Sequence, residues 1–321
     1  MRLETRAMGC SWSVVLNPGP PRQVMCAGDA FQVVHALEDR LTIYRAESEL
    51  MALNRSALLE EWFPVSEPVF QLLQQCAELH WATEGAFDPV TRPLTTLWRD
   101  CRRHGRIPSA EEVERALSWC GLQHVEFDEQ QLAIRFKLRG RGAPPLDIGF
   151  DLGAIGKGAG IDLAVSHLQT EQIESFLVHG GYSSLYGRGQ HGNCPGWPVG
   201  IRDPLFNNRR MATLLVQDCG LSTSGSNVQY FRHEGQRYGH ILDPRTGWPC
   251  DNLLSVSVLA PTAALADALS TAFYVMGLDK SLAYCETHSP VAALLVPLPR
   301  GSRKLEPVLA QLPAELVFFE T

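Results

Sequence analysis

Residues 147–158 read Asp147-Ile-Gly-Phe-Asp151-Leu-Gly-Ala154-Ile-Gly156-Lys157-Gly158. An apolar approach ends in a glycine-rich turn with one lysine, and a helix is expected to follow. Glycines let a backbone come close to a ligand, free N–H groups at a helix start favour anions, and a lysine adds a point charge for phosphate. The spacing fits neither a Walker loop nor a dinucleotide-binding fingerprint, and a tight structural turn accounts for the same residues. A second cluster is Ala266-Asp267-Ala-Leu-Ser270-Thr271. Asp267 and Thr271 are four apart and share one helical face, where a carboxylate and a hydroxyl can offer hard oxygens to Mg2+. The plainer alternative is an aspartate favoured by the helix dipole and a threonine bonding back to its own backbone.

Two further clusters carry chemistry of a different kind. Gly239-His240-Ile241-Leu-Asp243-Pro-Arg-Thr-Gly247 places a histidine just before an Asp-Pro-Arg-Thr-Gly turn. An imidazole ordinarily titrates near neutrality, so His240 could act as a general base or polarise a bond, although a lone histidine is more often structural. Gly85-Ala86-Phe87-Asp88-Pro89 offers a ring that could stack on a flat ligand and a carboxylate that could accept from one. A turn packed under an aromatic residue reads the same way.

These residues need a scaffold, and the 321-residue chain is long enough for one large domain or two intimate subdomains, with no composition shift to mark a linker. With 45% hydrophobic and 20% charged residues it is an ordinary globular sequence, and a net charge of -7 offers no basic face for nucleic acid. Nine scattered cysteines form no C-x-x-C pair, so buried, reduced thiols are expected rather than a disulfide framework or zinc site. The charged N-terminus leads into no long apolar stretch, so neither a secretory signal, a lipoprotein anchor nor a transmembrane segment is read there, and the cytoplasm is expected.

Helical periodicity predicts helices over 29–43, 68–81, from 109 onward, after Gly156-Lys157-Gly158, and over about 261–276. Ser109 with Glu112 has the spacing of a capping box. Strands are predicted over 11–16, 132–136, 175–178, 212–216 and 254–259, the last alternating cleanly. Residues 137–145, rich in Arg, Gly and Pro, read as an exposed loop. Helices and strands mix without regular alternation, which predicts an α+β fold rather than a doubly wound sheet.

Taken in order, these pieces resemble the ApbE family of FAD:protein FMN transferases over nearly the whole chain. The resemblance rests on Met8-Gly9, on Tyr44 with Ser48-Glu49-Leu50 and Leu53-Asn54, and on Gly85-Ala86-Phe87-Asp88. It continues through Asp151 to Gly158, the pair Gly180-Gly181, Ser224-Gly225, His240-Ile241, Asp243 to Gly247, and Ala266-Asp267 to Thr271. It implies a T-fold-like α+β architecture of two subdomains with FAD between them. Met8, Tyr44, Ala86, Phe87, Asp88, Asp151, His240 and Ile241 would line the FAD site, with Lys157 near the phosphates. The backbone carbonyl of Ala154, with Asp267 and Thr271, would bind Mg2+.

The sequence departs from the family pattern at Tyr182, Ala154, Gly156 and Ser270. The reaction implied is Mg2+-dependent transfer of FMN from FAD to a Thr or Ser hydroxyl of a target protein, with release of AMP. Lys157 would neutralise the pyrophosphate, and His240 or Asp243 would take the proton. The acceptor implied is a subunit of a redox complex. Two alternatives use the same residues: an FAD pyrophosphatase giving FMN and AMP, and a protein that holds FAD without turnover.

Overall fold

The computed structural model describes residues 1–138, 145, 147–206, 208–225, 230–299 and 305–320. In chain order its elements begin with β1 (Arg2–Ala7), β2 (Cys10–Leu16), α1 (Arg22–Leu41), α2 (Glu49–Ser56), β3 (Phe63–Pro64), α3 (Glu67–Ala82), α4 (Arg92–Arg103) and α5 (Ala110–Leu117). β4 (Val125–Asp128), β5 (Ala133–Phe136), α6 (Gly156–Thr170), β6 (Phe176–Gly180), β7 (Ser184–Arg188), β8 (Trp197–Arg202), β9 (Arg210–Val216) and β10 (Cys219–Gly225) follow. The chain closes with β11 (Tyr230–His233), β12 (Gln236–Gly239), β13 (Leu253–Ala260), α7 (Ala263–Met276), α8 (Leu278–Thr287), β14 (Ala292–Pro297), β15 (Val308–Ala310) and β16 (Val317–Phe319).

These elements divide into two compact units, one of Met1–Glu38, Ile155–Val228 and Asp251–Thr321, the other of Asp39–Ala154 and Gln229–Cys250. The first holds an eight-stranded sheet in the order β1-β2-β6-β7-β10-β13-β14-β15 and a three-stranded sheet β16-β9-β8. β2 pairs with β6 although some 160 residues separate them, so the larger segment of the second unit lies between these neighbouring strands, and its smaller segment lies between the paired β10 and β13. All the pairs in this large sheet are antiparallel, which is the α+β architecture expected from the sequence and excludes a doubly wound sheet.

Local chemistry explains the elements that matter for the site. Met8 (φ 50) and Gly9 (φ 73) are both left-handed, the geometry of a two-residue hairpin that matches strand twist. It joins β1 to β2 through the Ala7–Cys10 pair. α7 is apolar nearly all round and buried along most of its length, because it packs on β10 and β13 on one side and on α6 on another. β13, predicted to alternate, is instead buried at almost every position. One side meets α7, and Leu259 on the opposite side joins a core of Leu214, Leu221, Leu294 and Val296. α1 starts seven residues before its predicted start. Its first turns carry the exposed Val24 and Met25 and the small buried Cys26, Ala27 and Ala30, which blur an apolar stripe.

The second unit is mostly helical, with a small sheet β3-β5-β4 and the hairpin β11–β12. Ser48 caps α2 by accepting from Met51 N. At α5 both halves of the expected capping box form, Glu112 N to Ser109 Oγ and Ser109 N to Glu112 Oε2. Leu94, Val113 and Cys120 make a core to which Leu242 and Trp248 contribute. The aromatic face of β11–β12, Phe231 and Tyr238, packs on Trp98. Of the loop predicted over 137–145, Lys137, Leu138 and Pro145 belong to no helix or strand, and 139–144 lie outside the described residues. All nine cysteines are free thiols, five of them buried.

Candidate active-site residues

In the first unit the centre of interest lies where α6 begins against α7. The crossing is close because of Gly158: a Cβ there would strike the carbonyl of Ala263 and the Cα of Ala264. Asp162, one turn further along α6, ties the start of α7 by accepting from Ala263 N at 2.7 Å and Ala264 N at 2.8 Å. Thr262 caps the same helix by accepting from Leu265 N. Burial pushes the Asp162 carboxyl up to about 6, against the pull of those two backbone bonds.

This junction presents Asp267, which is 4% exposed. A buried carboxylate is costly unless its lone pairs are met, and four groups meet them. Ser184 and Ser222 donate through Oγ to Oδ1 at 2.8 and 2.9 Å. Gly158 N donates to Oδ2 at 3.1 Å. The Lys157 ammonium stands 3.3 Å from both oxygens. Thr271, one turn along α7, has its Oγ1 3.4 Å from Ser224 Oγ, which is 2.8 Å from Ser270 Oγ. Of the predicted residues, Lys157, Asp267 and Thr271 are therefore brought together on one junction. Met8 lies near Gly160 of α6 and donates its N–H to Glu38 at 2.8 Å. Burial raises the Cys10 thiol pKa while the nearby Lys157 charge opposes that rise, and the net rise favours the thiol over the thiolate.

In the second unit the backbone of the Gly-Ala-Phe-Asp turn and of the 151 loop are joined, Asp151 N donating to Pro89 O at 2.8 Å. Asp151 accepts from Gly153 N at 3.0 Å and from Thr95 Oγ1 at 2.9 Å. Asn54 holds the same loop by two bonds to the Phe150 backbone, which gives Leu53-Asn54 a physical role. Ala154 follows this loop and is half-buried. Asp88 accepts from Val90 N at 2.7 Å and lies 3.2 Å from His80 Nδ1. Ala86 and Phe87 are buried, as a turn packed under an aromatic residue would have them. Tyr44 is 81% exposed, with the Arg99 guanidinium 5.9 Å from its ring centroid. His240 follows β12 and is exposed, while Ile241 beside it is buried. Asp243 is bound by Arg245, through the backbone N–H at 2.9 Å and the guanidinium at 2.8 Å.

Sequence reading missed Ser184, Ser222, Asp162 and Thr95. One signal was present: Ser222 and Ser224 alternate with Thr223 in a strand pattern, which puts both serines on one face. Among the described residues no group of three or more His, Cys, Asp or Glu side chains could hold a metal, and no helix is long and apolar enough to cross a membrane.

The ApbE family profile matches residues 8–295, which span every residue of this arrangement. The chain belongs to the ApbE family. It is 29% identical to the FAD:protein FMN transferase of Vibrio cholerae, over 95% of this chain and 90% of that protein. To the FAD:protein FMN transferase of Escherichia coli K12 it is 32% identical, over 87% of this chain and 79% of that protein. Among solved ApbE structures, the flavin transferase from Vibrio cholerae superposes with a TM-score of 0.81 at 25% identity, covering 97% of this chain and 96% of that one. The flavinyl transferase ApbE of Pseudomonas stutzeri, in its apo form, gives 0.81 at 27% identity, covering 98% and 96%. The mixed fold read from the sequence is thus an ApbE fold.

Proposed function

We propose that this chain transfers the FMN half of FAD to a threonine or serine hydroxyl of an acceptor protein, releasing AMP, with Mg2+ held at Asp267. The observation that carries this reading is the buried Asp267 carboxylate, anchored by serines and a backbone N–H, with an ammonium group already before both its oxygens. The names of the relatives in Vibrio cholerae and Escherichia coli support the same chemistry. The donor set fits the metal. One carboxylate and the Thr271 hydroxyl on the same helical face are hard oxygens, and a single carboxylate leaves positions for phosphate oxygens, the usual manner of binding Mg2+. We assign the Ala154 backbone carbonyl as a third oxygen donor. Mg2+ bound there would neutralise charge on the pyrophosphate.

Lys157, held at 3.3 Å from the carboxylate, is placed to serve phosphate oxygens when another cation takes its position. The acceptor oxygen forms its bond to the FMN phosphorus as the P–O bond to AMP breaks, and the hydroxyl proton passes to a base. His240 is the base we assign. An imidazole suits proton transfer near neutral pH, whereas the Asp243 carboxylate shapes its own turn through Arg245. Tyr44, exposed, and Asp151, fixed by Thr95, are assigned to FAD, with Met8 and Ile241. The buried Ala86-Phe87-Asp88 turn supports them through Pro89. The acceptor class we propose is a redox-complex subunit, and nine free thiols fit a reducing compartment such as the cytoplasm.

The test is AMP release from FAD by the purified protein with an acceptor protein present, in Mg2+ and in EDTA. AMP in Mg2+ alone is expected. Equal AMP in both would remove the metal from the reading. Intact FAD under all conditions, with acceptor present, would leave only binding.

A further inference from the structure

Asp267 is held by two kinds of partner. Ser184 and Ser222 sit directly opposite each other in the antiparallel pair of β7 and β10, on the face that α7 covers, and each is 1% exposed. Both hydroxyls point at one oxygen, Oδ1, at 2.8 and 2.9 Å. A carboxylate only accepts, so each serine must spend its single proton on Asp267. Ser222 can then accept from Ser270 Oγ at 3.4 Å, and Ser270 also lies 2.9 Å from the Asp267 carbonyl oxygen. Gly158 N takes the other oxygen, Oδ2. Against this rigid set stands Lys157. Its ammonium is 3.3 Å from either oxygen, beyond the ~2.7–2.9 Å of a tight charge-assisted bond. Its side chain is also 24% exposed, against 5% for that of Asp267. The serines are the fixed partners and the cation is the exchangeable one.

We propose that Ser184 and Ser222 are positioning residues that lock the Asp267 carboxylate in one rotamer, so that its Oδ2 side meets a divalent cation without reorganisation. The inference rests on the Mg2+ reading above. It adds two residues that touch neither metal nor FAD in that reading. Outer partners of this kind orient ligands and typically contribute about tenfold to a hundredfold to metal affinity. Removing one hydroxyl frees Oδ1 to rotate or to take Lys157 more closely, and both compete with the incoming cation.

The experiment measures Mn2+ affinity of the full chain by electron paramagnetic resonance, with FAD present, for wild type, Ser184→Ala, Ser222→Ala and Ser184→Thr. Thermal midpoints and metal-free FAD affinity are followed alongside. Ser281→Ala serves as a control. Ser281 is equally buried in the same unit but bonds Phe273 O and Gly277 O at the far end of α7. The expected result is Mn2+ binding weakened about tenfold or more in each of the two alanine variants. Ser184→Thr, which keeps the hydroxyl, should bind Mn2+ like wild type. Ser281→Ala should lose thermal stability without losing Mn2+ affinity, and metal-free FAD affinity should be unchanged throughout. Alanine variants that fold and bind Mn2+ like wild type would overturn the positioning role alone. Should either alanine variant fail to fold, the other and Ser184→Thr still decide: weakened binding by a folded Ser184→Thr, matching the surviving alanine variant, would overturn it. A wild type that binds no Mn2+ even with FAD would overturn the metal reading and this proposal with it.

Discussion

Asp267 and Asp243 are both aspartates that the sequence singles out, and the molecule treats them oppositely. Asp243 is satisfied by its near neighbour Arg245, through one backbone and two side-chain bonds within a single turn. Asp267 is satisfied by donors from three other elements, up to 110 residues away: Lys157 and Gly158 of α6, Ser184 of β7 and Ser222 of β10. A locally closed carboxylate can form in any conformation that makes the turn. One built from distant elements exists only when the sheet, α6 and α7 are assembled, and that assembly supplies a preorganised charge. The contrast separates a carboxylate that shapes a loop from one fixed by the tertiary fold, the one we propose to hold the metal.

Substitutions can break or sharpen this contrast. The largest effect is expected for Asp267→Asn, which keeps the shape but removes the charge. Several kcal/mol of charge stabilisation should be lost, so Mg2+-dependent AMP release should fall roughly a thousandfold, with the fold retained by circular dichroism. Turnover within about tenfold of wild type would remove Asp267 from the metal site.

Asp162 comes next, through pH. Its folded carboxyl is raised to about 6 from the ordinary 3.8. Its contribution to stability is therefore complete below about 3.8 and is lost as pH rises through about 6. Asp162→Asn cannot ionise and should erase roughly 2–3 kcal/mol of stability change between those limits. Urea titrations at pH 4 and pH 7 on both proteins read this directly, and an unchanged slope in the variant would contradict the assignment.

Gly158→Ala follows. The added methyl meets the α7 backbone, and a loss of about 1–3 kcal/mol is expected. Gly156→Ala has nothing within 4 Å of the new Cβ and should stay within about 0.5 kcal/mol. Equal losses in the two would show that the close α6–α7 crossing does not govern stability. The smallest effect belongs to Arg245→Ala. Its side chain is 36% exposed and Asp243 keeps its backbone bond, so chemical denaturation should register about 0.2–1 kcal/mol.

The same contrast explains what could be read before the fold was known. Features closed over a few residues were legible. The capping box of Ser109 and Glu112 formed as spaced, the Asp243 to Gly247 turn formed, and Asp267 and Thr271 share one face of α7. The α+β class followed from the irregular mixture of patterns. Ser184 and Ser222 were not legible as partners of Asp267, because only strand register places them opposite each other. Asp162 reads as an ordinary polar residue of a helix until α7 is laid across it. The even burial of β13 was hidden for a related reason: alternation reports one covered face, and this strand has two.

The most direct test of the account is covalent flavin on an acceptor. The purified chain is incubated with FAD, Mg2+ and a redox-subunit domain carrying a candidate acceptor threonine, and with the same domain carrying Thr→Val. Intact-mass spectrometry and AMP release are followed together. The account predicts an FMN adduct on the threonine domain alone, with one AMP released per adduct. AMP and free FMN formed at the same rate with either domain, and no adduct, would contradict it.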